Sequence, residues 1–270
     1  MKKATTATIL AALIVGPYAH GQWAQFPDKS IPRTSTGGAD LTAPTPRTAD
    51  GTPDLFGVWL PDADPLPEGV QTVEGDQPFP RHMFNITADL GPEDVELTPW
   101  AAELFNQRLE NRDFPGPGAH CEPTGIPLLN AGVLPYKIVQ TPDLVVILYE
   151  GDTVFRQIFL DGREPVEDPL PRWMGYSTGR WNGAELVVET TGLTEESWLD
   201  VMGHPHSDSL RVIERFRRRD AGHLEIETTI DDPAAYAQAV TYTVTATALP
   251  DDDLLEYFCT ENEKSSAHYQ

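Results

Sequence analysis

Apolar and polar residues alternate with a two-residue period in many segments after residue 140, and this period is typical of β-strands with one buried face. Val240, Tyr242 and Val244 alternate with threonines in one such segment. Two others are separated by Asn182-Gly183, which strongly favours a two-residue hairpin loop. The predicted strands cover residues 53–59, 144–149, 154–160, 175–181, 186–189, 210–218, 224–228, 240–246 and 254–259.

The order of these segments indicates the fold. About eight of them follow one another, joined mostly by short turns, which predicts an antiparallel meander. Sequential hairpins of this number close naturally into a barrel, because closure removes exposed strand edges. Strands do not alternate with helices, so a doubly wound parallel sheet is not expected. We therefore predict a mainly β fold in which the meander closes into a barrel.

One accessory helix is predicted before the meander. Thr98 suits the N-cap of this helix and Pro99 suits its first position. Trp100, Leu104 and Leu109 then follow near helical spacing.

Composition divides the remainder of the chain. Residues 22–50 are rich in Pro, Thr, Gly and Ser, which predicts an extended or mobile proline-rich N-terminal arm. Residues 61–97 are rich in proline and acidic residues and are expected to wrap the surface. We expect a single β-barrel-like domain at 51–262 and a C-terminal tail at 263–270.

The N-terminus has the pattern of a secretory signal peptide at residues 1–21. Lys2 and Lys3 form a basic start, residues 8–18 are a short apolar segment, and Ala19-His20-Gly21 offers a cleavage site. The apolar segment is too short to span a bilayer. A periplasmic or secreted location is therefore predicted.

Charge and cysteine content narrow the partners and the compartment. The formal net charge is −23, which would repel nucleic acid and anionic lipid surfaces, so we expect neither nucleic acid nor a membrane as partner. A small molecule is the expected ligand. The two cysteines, Cys121 and Cys259, are most simply paired in one disulfide if the protein is exported.

The strongest candidate for chemistry is the segment Gly203-His204-Pro205-His206-Ser207. One histidine could act as a general base, held in its tautomer by Asp200 or Asp208. In an extended segment, residues two apart face the same side, so both histidines could instead bind one divalent metal. The candidate third metal ligands are Asp208, Glu214 and Glu150. A third interpretation is that the histidines only shape the loop.

Two charged residues lie within predicted strands. Arg156 alternates in phase with Val154 and Ile158, and Glu214 lies between two apolar residues of its own face. Buried charges are costly unless paired, so these groups are either an internal ion pair or substrate-binding groups of a pocket. Glu150 is a further candidate for substrate binding.

Two long loops, 161–172 and 191–208, interrupt the meander and would define a barrel mouth if they open on the same rim. Trp198 in the second loop is a candidate substrate contact. Tyr176 and Arg180 share one strand face and could polarise a substrate oxygen, Tyr176 as a catalytic group and Arg180 as a binding group.

The chain also resembles a group of functionally uncharacterised exported bacterial proteins. The matching segments are PRTADG (46–51), FRQIFLDGR (155–163), GYSTGRW (175–181), GHPHS (203–207) and TIDDP (229–233). This resemblance implies export and carries over no catalytic residue. Gly57-Val58-Trp59 is similar to the Gly-x-Trp opening of lipocalin-type barrels, which implies a lipocalin-like barrel.

Three functional hypotheses follow. The first is an exported enzyme that acts on a small organic molecule by acid–base chemistry, of the lyase, hydratase or isomerase type. The others are a non-catalytic carrier of an apolar ligand and a metal-dependent hydrolase that uses His204 and His206. The chain has no H-E-x-x-H, P-loop or G-x-G-x-x-G motif. No cofactor is predicted, apart from a divalent metal under the third hypothesis.

Overall fold

The computed structural model describes residues 28–63, 80–91, 95–110, 116–166 and 168–260. The predicted signal peptide at 1–21 and the predicted tail at 263–270 lie outside these residues, so both remain predictions.

A closed β-barrel forms the body of the protein, as the sequence pattern predicts. In the described part of the chain it has nine strands, which pair in sequence order and close between the last and the first. The strands are β1 (Gly57–Pro61), β2 (Tyr136–Gln140), β3 (Leu144–Tyr149), β4 (Phe155–Phe159), β5 (Tyr176–Asn182), β6 (Glu185–Thr191), β7 (Arg211–Arg218), β8 (His223–Asp231) and β9 (Val240–Ala248). The architecture is that of a lipocalin-like barrel.

One seam of the barrel differs from the expected antiparallel order. β4 and β5 are parallel and pair only through Ile158 with Ser177 and Phe159 with Thr178. The connection between them therefore has to run from one end of the barrel to the other. Every other neighbouring pair is antiparallel, including the closing pair, in which Trp59 lies opposite Ala248.

Closure also explains why the last predicted strand is absent. Residues 254–259 form no strand, because β9 already pairs with β8 on one side and β1 on the other. No strand edge is left for another partner.

The strand directions place the long connections at one end of the barrel, called the loop end below. β2 and β5 begin at this end, and β3, β6 and β8 finish there. Residues 150–154, which join β3 to β4, lie at this end, as do residues 192–210 between β6 and β7 and residues 232–239 between β8 and β9. The two long loops of the sequence analysis meet at the start of β5, where Arg172 forms an isolated bridge with Leu193.

The opposite end carries short turns and is covered by the N-terminal arm. The amides of Ala221 and Gly222 donate to the carbonyls of Ala43 and Leu41 at 2.8 and 2.7 Å. Ile31 is 2% exposed. From residue 28 onwards, the arm is therefore extended but fixed against the barrel by hydrogen bonds and apolar contacts.

Large side chains are fully buried among the strands. Trp59, Tyr136, Ile147, Ile158 and Phe216 are each at most 1% exposed. Burial of one such side chain stabilises the fold by about 2 kcal/mol.

Two helices lie in the described connection between β1 and β2: α1 (Arg81–Phe84) and α2 (Pro99–Glu110). The hydroxyl of Thr98 accepts a hydrogen bond from the amide of Ala101 at 3.3 Å, as an N-cap residue should. Neither helix is long and apolar enough to cross a membrane. The short α1 was not predicted; His82 and Ile86 are 4% and 1% exposed whereas Phe84 is 47% exposed, so this segment lies on the surface and anchors a few side chains inward.

Cys121 and Cys259 form the predicted disulfide, with a Cα–Cα distance of 5.4 Å. It joins the connection before β2 to the segment after β9. Such bonds persist mainly in oxidising compartments, which agrees with export.

Candidate functional site

The connection between β6 and β7, residues 192–210, carries both histidines of the GHPHS segment at the loop end. It is folded into tight turns. The amide of Leu199 donates to the carbonyl of His204 at 3.1 Å, and the amide of Gly203 donates to the carbonyl of Asp200 at 3.1 Å. Gly203 has φ of +93°, a conformation that glycine adopts without strain.

His204 and Asp200 form a buried dyad within these turns. The Nδ1 atom of His204 lies 2.5 Å from Oδ2 of Asp200, and the two side chains are 5% and 0% exposed. The Asp200 carboxylate also accepts the amides of Ile86, Gly203 and His204, at 2.8, 2.9 and 3.1 Å. Four donors thus hold this carboxylate in place, so its orientation toward the imidazole is fixed.

The remaining surface of the His204 ring faces α2. Its ring stacks on Phe105 with 4.2 Å between the centroids. No described residue forms a hydrogen bond with its Nε2 atom. Because Asp200 accepts a hydrogen bond from Nδ1, Nε2 is the ring nitrogen that remains for a substrate.

His206 has different surroundings, and both of its ring nitrogens are engaged. Nε2 lies 2.8 Å from the hydroxyl of Ser197, and Nδ1 donates to the carbonyl of Ser207 at 3.0 Å. Asp232 fixes Ser207 by accepting its amide and its hydroxyl at 2.6 and 2.8 Å. Burial lowers the pKa of His206, so the neutral form is favoured.

These contacts do not present the two histidines to one metal. Both ring nitrogens of His206 already form hydrogen bonds, so neither is available as a metal ligand. On His204, Nδ1 is engaged by Asp200. Within the described ranges, no group of three His, Cys, Asp or Glu side chains is arranged to hold a metal ion. The predicted third ligands are not at the histidines: Asp208 is exposed, Glu214 pairs with Arg156, and Glu150 accepts the amide of Leu255.

Arg108 of α2 is a neighbour of this loop that sequence reasoning missed. Its NH1 atom donates to the carbonyl of Gly203 at 3.1 Å, and its guanidinium lies 4.8 Å from the centre of the Trp198 ring. Burial lowers the pKa of Arg108 to about 10, although the Tyr236 and Asp200 charges oppose this, so the residue stays charged at neutral pH. It braces the turn that holds the dyad.

A cavity of about 320 Å³ borders the dyad at the loop end. Trp198 and Asp200 lie in its wall, together with Met83 of α1, Leu129 and Tyr149. The C-terminal segment closes one side through Tyr257 and Cys259. The volume is within the range of small-molecule sites, and the wall is mainly apolar. Asp200 belongs to both the dyad and the cavity wall, whereas His204 lies behind it and does not line the cavity.

Arg156 and Glu214 form the internal ion pair that was one of the two predicted alternatives. They are 1% and 0% exposed and paired through both guanidinium NH groups. Arg156 also donates to Ser177 and Thr190, at 3.0 and 2.7 Å. Burial opposes the charge of Arg156, but Glu214 and Tyr149 together outweigh this effect and raise the pKa of Arg156. Both charges are therefore satisfied within the barrel.

The pair is connected to the cavity wall through Asn130. The Asn130 amide donates to Glu214 at 2.5 Å and accepts the Tyr149 hydroxyl at 2.7 Å. Burial raises the pKa of Tyr149 above its ordinary range, so this hydroxyl keeps its proton and donates. The interior network thus holds Tyr149 in the cavity wall.

The other predicted site residues are not brought to the dyad by any described hydrogen bond. Asp208 is exposed and accepts only the hydroxyl of Ser209, at 3.2 Å, so the choice between the two acids falls on Asp200. Glu150 accepts the amide of Leu255. Tyr176 lies on the outer wall beneath Arg172, and Arg180 is exposed further along the same strand.

The chain matches no protein-family model, no curated protein and no solved structure. The chemistry of the loop end is therefore the basis for inferring a function.

Proposed function

We propose that this protein is an exported enzyme that acts on a small organic molecule by acid–base chemistry, of the lyase, hydratase or isomerase type. His204 carries the proton and Asp200 orients it. The supporting observation is the 2.5 Å contact between His204 Nδ1 and an Asp200 carboxylate that three backbone amides also hold.

His204 fits this role better than His206 because of what its second nitrogen contacts. Nε2 of His206 is occupied by Ser197, whereas no described group binds Nε2 of His204. A base must have one nitrogen free to reach substrate, and the opposite nitrogen must be held by a fixed acceptor. A general base placed in this way typically contributes about 10² to 10⁴ in rate.

The adjacent cavity sets the size and character of the substrate. At about 320 Å³, with Trp198, Met83 and Leu129 in its wall, it suits a small, largely apolar molecule. Arg156 is not available to stabilise a negative charge on this substrate, because Glu214 already neutralises it.

Proton transfer can be tested before the natural substrate is known. Small carbonyl compounds would be incubated with the signal-cleaved protein in D₂O, and the loss of their C–H signals would be followed by proton NMR. For any compound that the wild type exchanges, we expect His204→Gln to lower the rate at least about 100-fold, since glutamine cannot take up and release a proton as imidazole does.

His223→Gln is the matched control. His223 Nδ1 lies 2.7 Å from Asp220 Oδ1, so the same kind of contact is removed at the opposite end of the barrel. We expect an unchanged rate. Exchange that survives His204→Gln would refute the proposed role.

The two other hypotheses predict different results in the same preparations. A carrier would retain a ligand through purification and bind it equally well after His204→Gln. A metal-dependent hydrolase would contain about one metal ion per chain by mass spectrometry, and the ion would be lost in His204→Ala/His206→Ala.

A further inference from the structure

A second cavity, of about 570 Å³, lies on the outer wall of the barrel over the parallel seam of β4 and β5. We propose that it binds a small planar aromatic molecule that carries one negative charge, such as an aryl carboxylate. The site is separate from the dyad and does not depend on the function proposed above.

The seam explains why this cavity exists. β4 and β5 share only two residue pairs, and the connection between them passes over the outside of the barrel. Strand alternation sends Arg156 and Ile158 inwards, so Phe155 and Phe159 of β4 point outwards. Phe155 is 59% exposed, which is unusual for a phenylalanine within a strand.

Aromatic faces form much of the wall. Phe155 and Phe159 lie on the β4 side, where Arg163 already stacks on the Phe159 ring at 3.7 Å, and Trp173 and Tyr176 lie on the β5 side. Flat rings pack well against such surfaces, and stacked or edge-to-face pairs add about 0.5–1.5 kcal/mol beyond the area that they bury. The wall therefore favours a planar aromatic body.

The charges of the wall favour one anionic group on that body. Two arginines line the cavity, and Asp161 neutralises one of them, Arg163, through both carboxylate oxygens. Arg172 forms no ion pair with any residue that the structure describes. Its guanidinium lies 4.4 Å from the centre of the Tyr176 ring. Glu164 also lines the cavity, but it forms no ion pair with Arg172.

Arg172 is held in position by its backbone. Its amide donates to the carbonyl of Gly192 at 2.9 Å, and its carbonyl accepts the amide of Thr194 at 3.0 Å. A side chain at Gly192 would come within 2.5 Å of Pro169, so the loop packs closely on this glycine. The guanidinium thus projects from a fixed point, and its planar donors suit a carboxylate.

The test uses 2-naphthoate and its uncharged analogue 2-naphthamide as probes, with binding measured by calorimetry. We expect saturable binding of 2-naphthoate that is tighter than that of 2-naphthamide. Arg172→Gln should weaken 2-naphthoate about tenfold, which corresponds to about 1.4 kcal/mol, and change 2-naphthamide less than about twofold. Phe155→Ala should weaken both probes, since it shortens the aromatic wall without disturbing the core.

Arg180→Gln is the matched control, because Arg180 is also an exposed arginine on the outer face of β5 but does not line the cavity. It should leave both affinities unchanged, as should His204→Gln. The proposal is wrong if 2-naphthoate shows no saturable binding, if it binds no more tightly than 2-naphthamide, or if Arg172→Gln and Arg180→Gln have the same effect.

Discussion

Replacement of Glu214 with glutamine would leave Arg156 charged and buried without its carboxylate. Glutamine has almost the same volume, so the change tests charge rather than packing. The Glu214 carboxylate accepts hydrogen bonds from two Arg156 nitrogens and from Asn130, and both partners of the ion pair are at most 1% exposed. Removal of one partner from such a pair costs about 3–5 kcal/mol, because the other charge stays out of water.

Urea unfolding, followed by circular dichroism, measures this loss. With a slope of about 3 kcal/mol per molar urea, the midpoint should fall by about 1–1.7 M. A double variant, Arg156→Met/Glu214→Leu, should be less destabilised than Glu214→Gln alone, since no charge remains buried. A loss below about 1 kcal/mol in Glu214→Gln would refute the reasoning, because it would mean that water reaches Arg156.

Two further predictions concern the loop end. Burial lowers the pKa of His206, so the unfolded chain binds a proton more readily than the folded protein does. The contribution of neutral His206 to stability should therefore be fully present above about pH 6.5 and be lost as the pH falls through the pKa of the folded state. Thermal melts between pH 7.5 and 5 should show a smaller loss of stability in His206→Gln than in the wild type. The Cys121–Cys259 bond closes a loop with a sequence separation of 138; Cys121→Ser/Cys259→Ser should lower the free energy of unfolding by about 2–5 kcal/mol, and an unchanged urea midpoint would contradict this.

The parts of the fold that could be predicted from sequence are those determined locally. Alternation alone places Glu214 on the buried face of β7 and Arg156 on that of β4, and the structure buries both. The Asn182-Gly183 signal likewise marks the turn between β5 and β6. Hydrophobic period and turn residues act over a few positions, so a single sequence contains them.

The remaining features depend on contacts that are distant in sequence. The parallel direction of β5 is set by the path of a long connection, which has no local pattern. Asp200 and Asp208 are equally plausible partners for a histidine by spacing, and the turn at Gly203 decides between them. Arg108 reaches the carbonyl of Gly203 only because α2 packs on a loop that follows it by more than 80 residues in the sequence.

The Asp200–His204 dyad has a counterpart at the opposite end of the barrel, formed by Asp220 and His223. Asp220 accepts His223 Nδ1 and the amides of Gly222 and His223, and the His223 side chain is 38% exposed in a short turn. Turn formation fully explains that arrangement. His204 differs in its burial, its contact with Phe105 and its neighbouring cavity. The proposed proton transfer therefore depends on these surroundings, and equal effects of His204→Gln and His223→Gln on exchange would mean that both Asp–His contacts only stabilise turns.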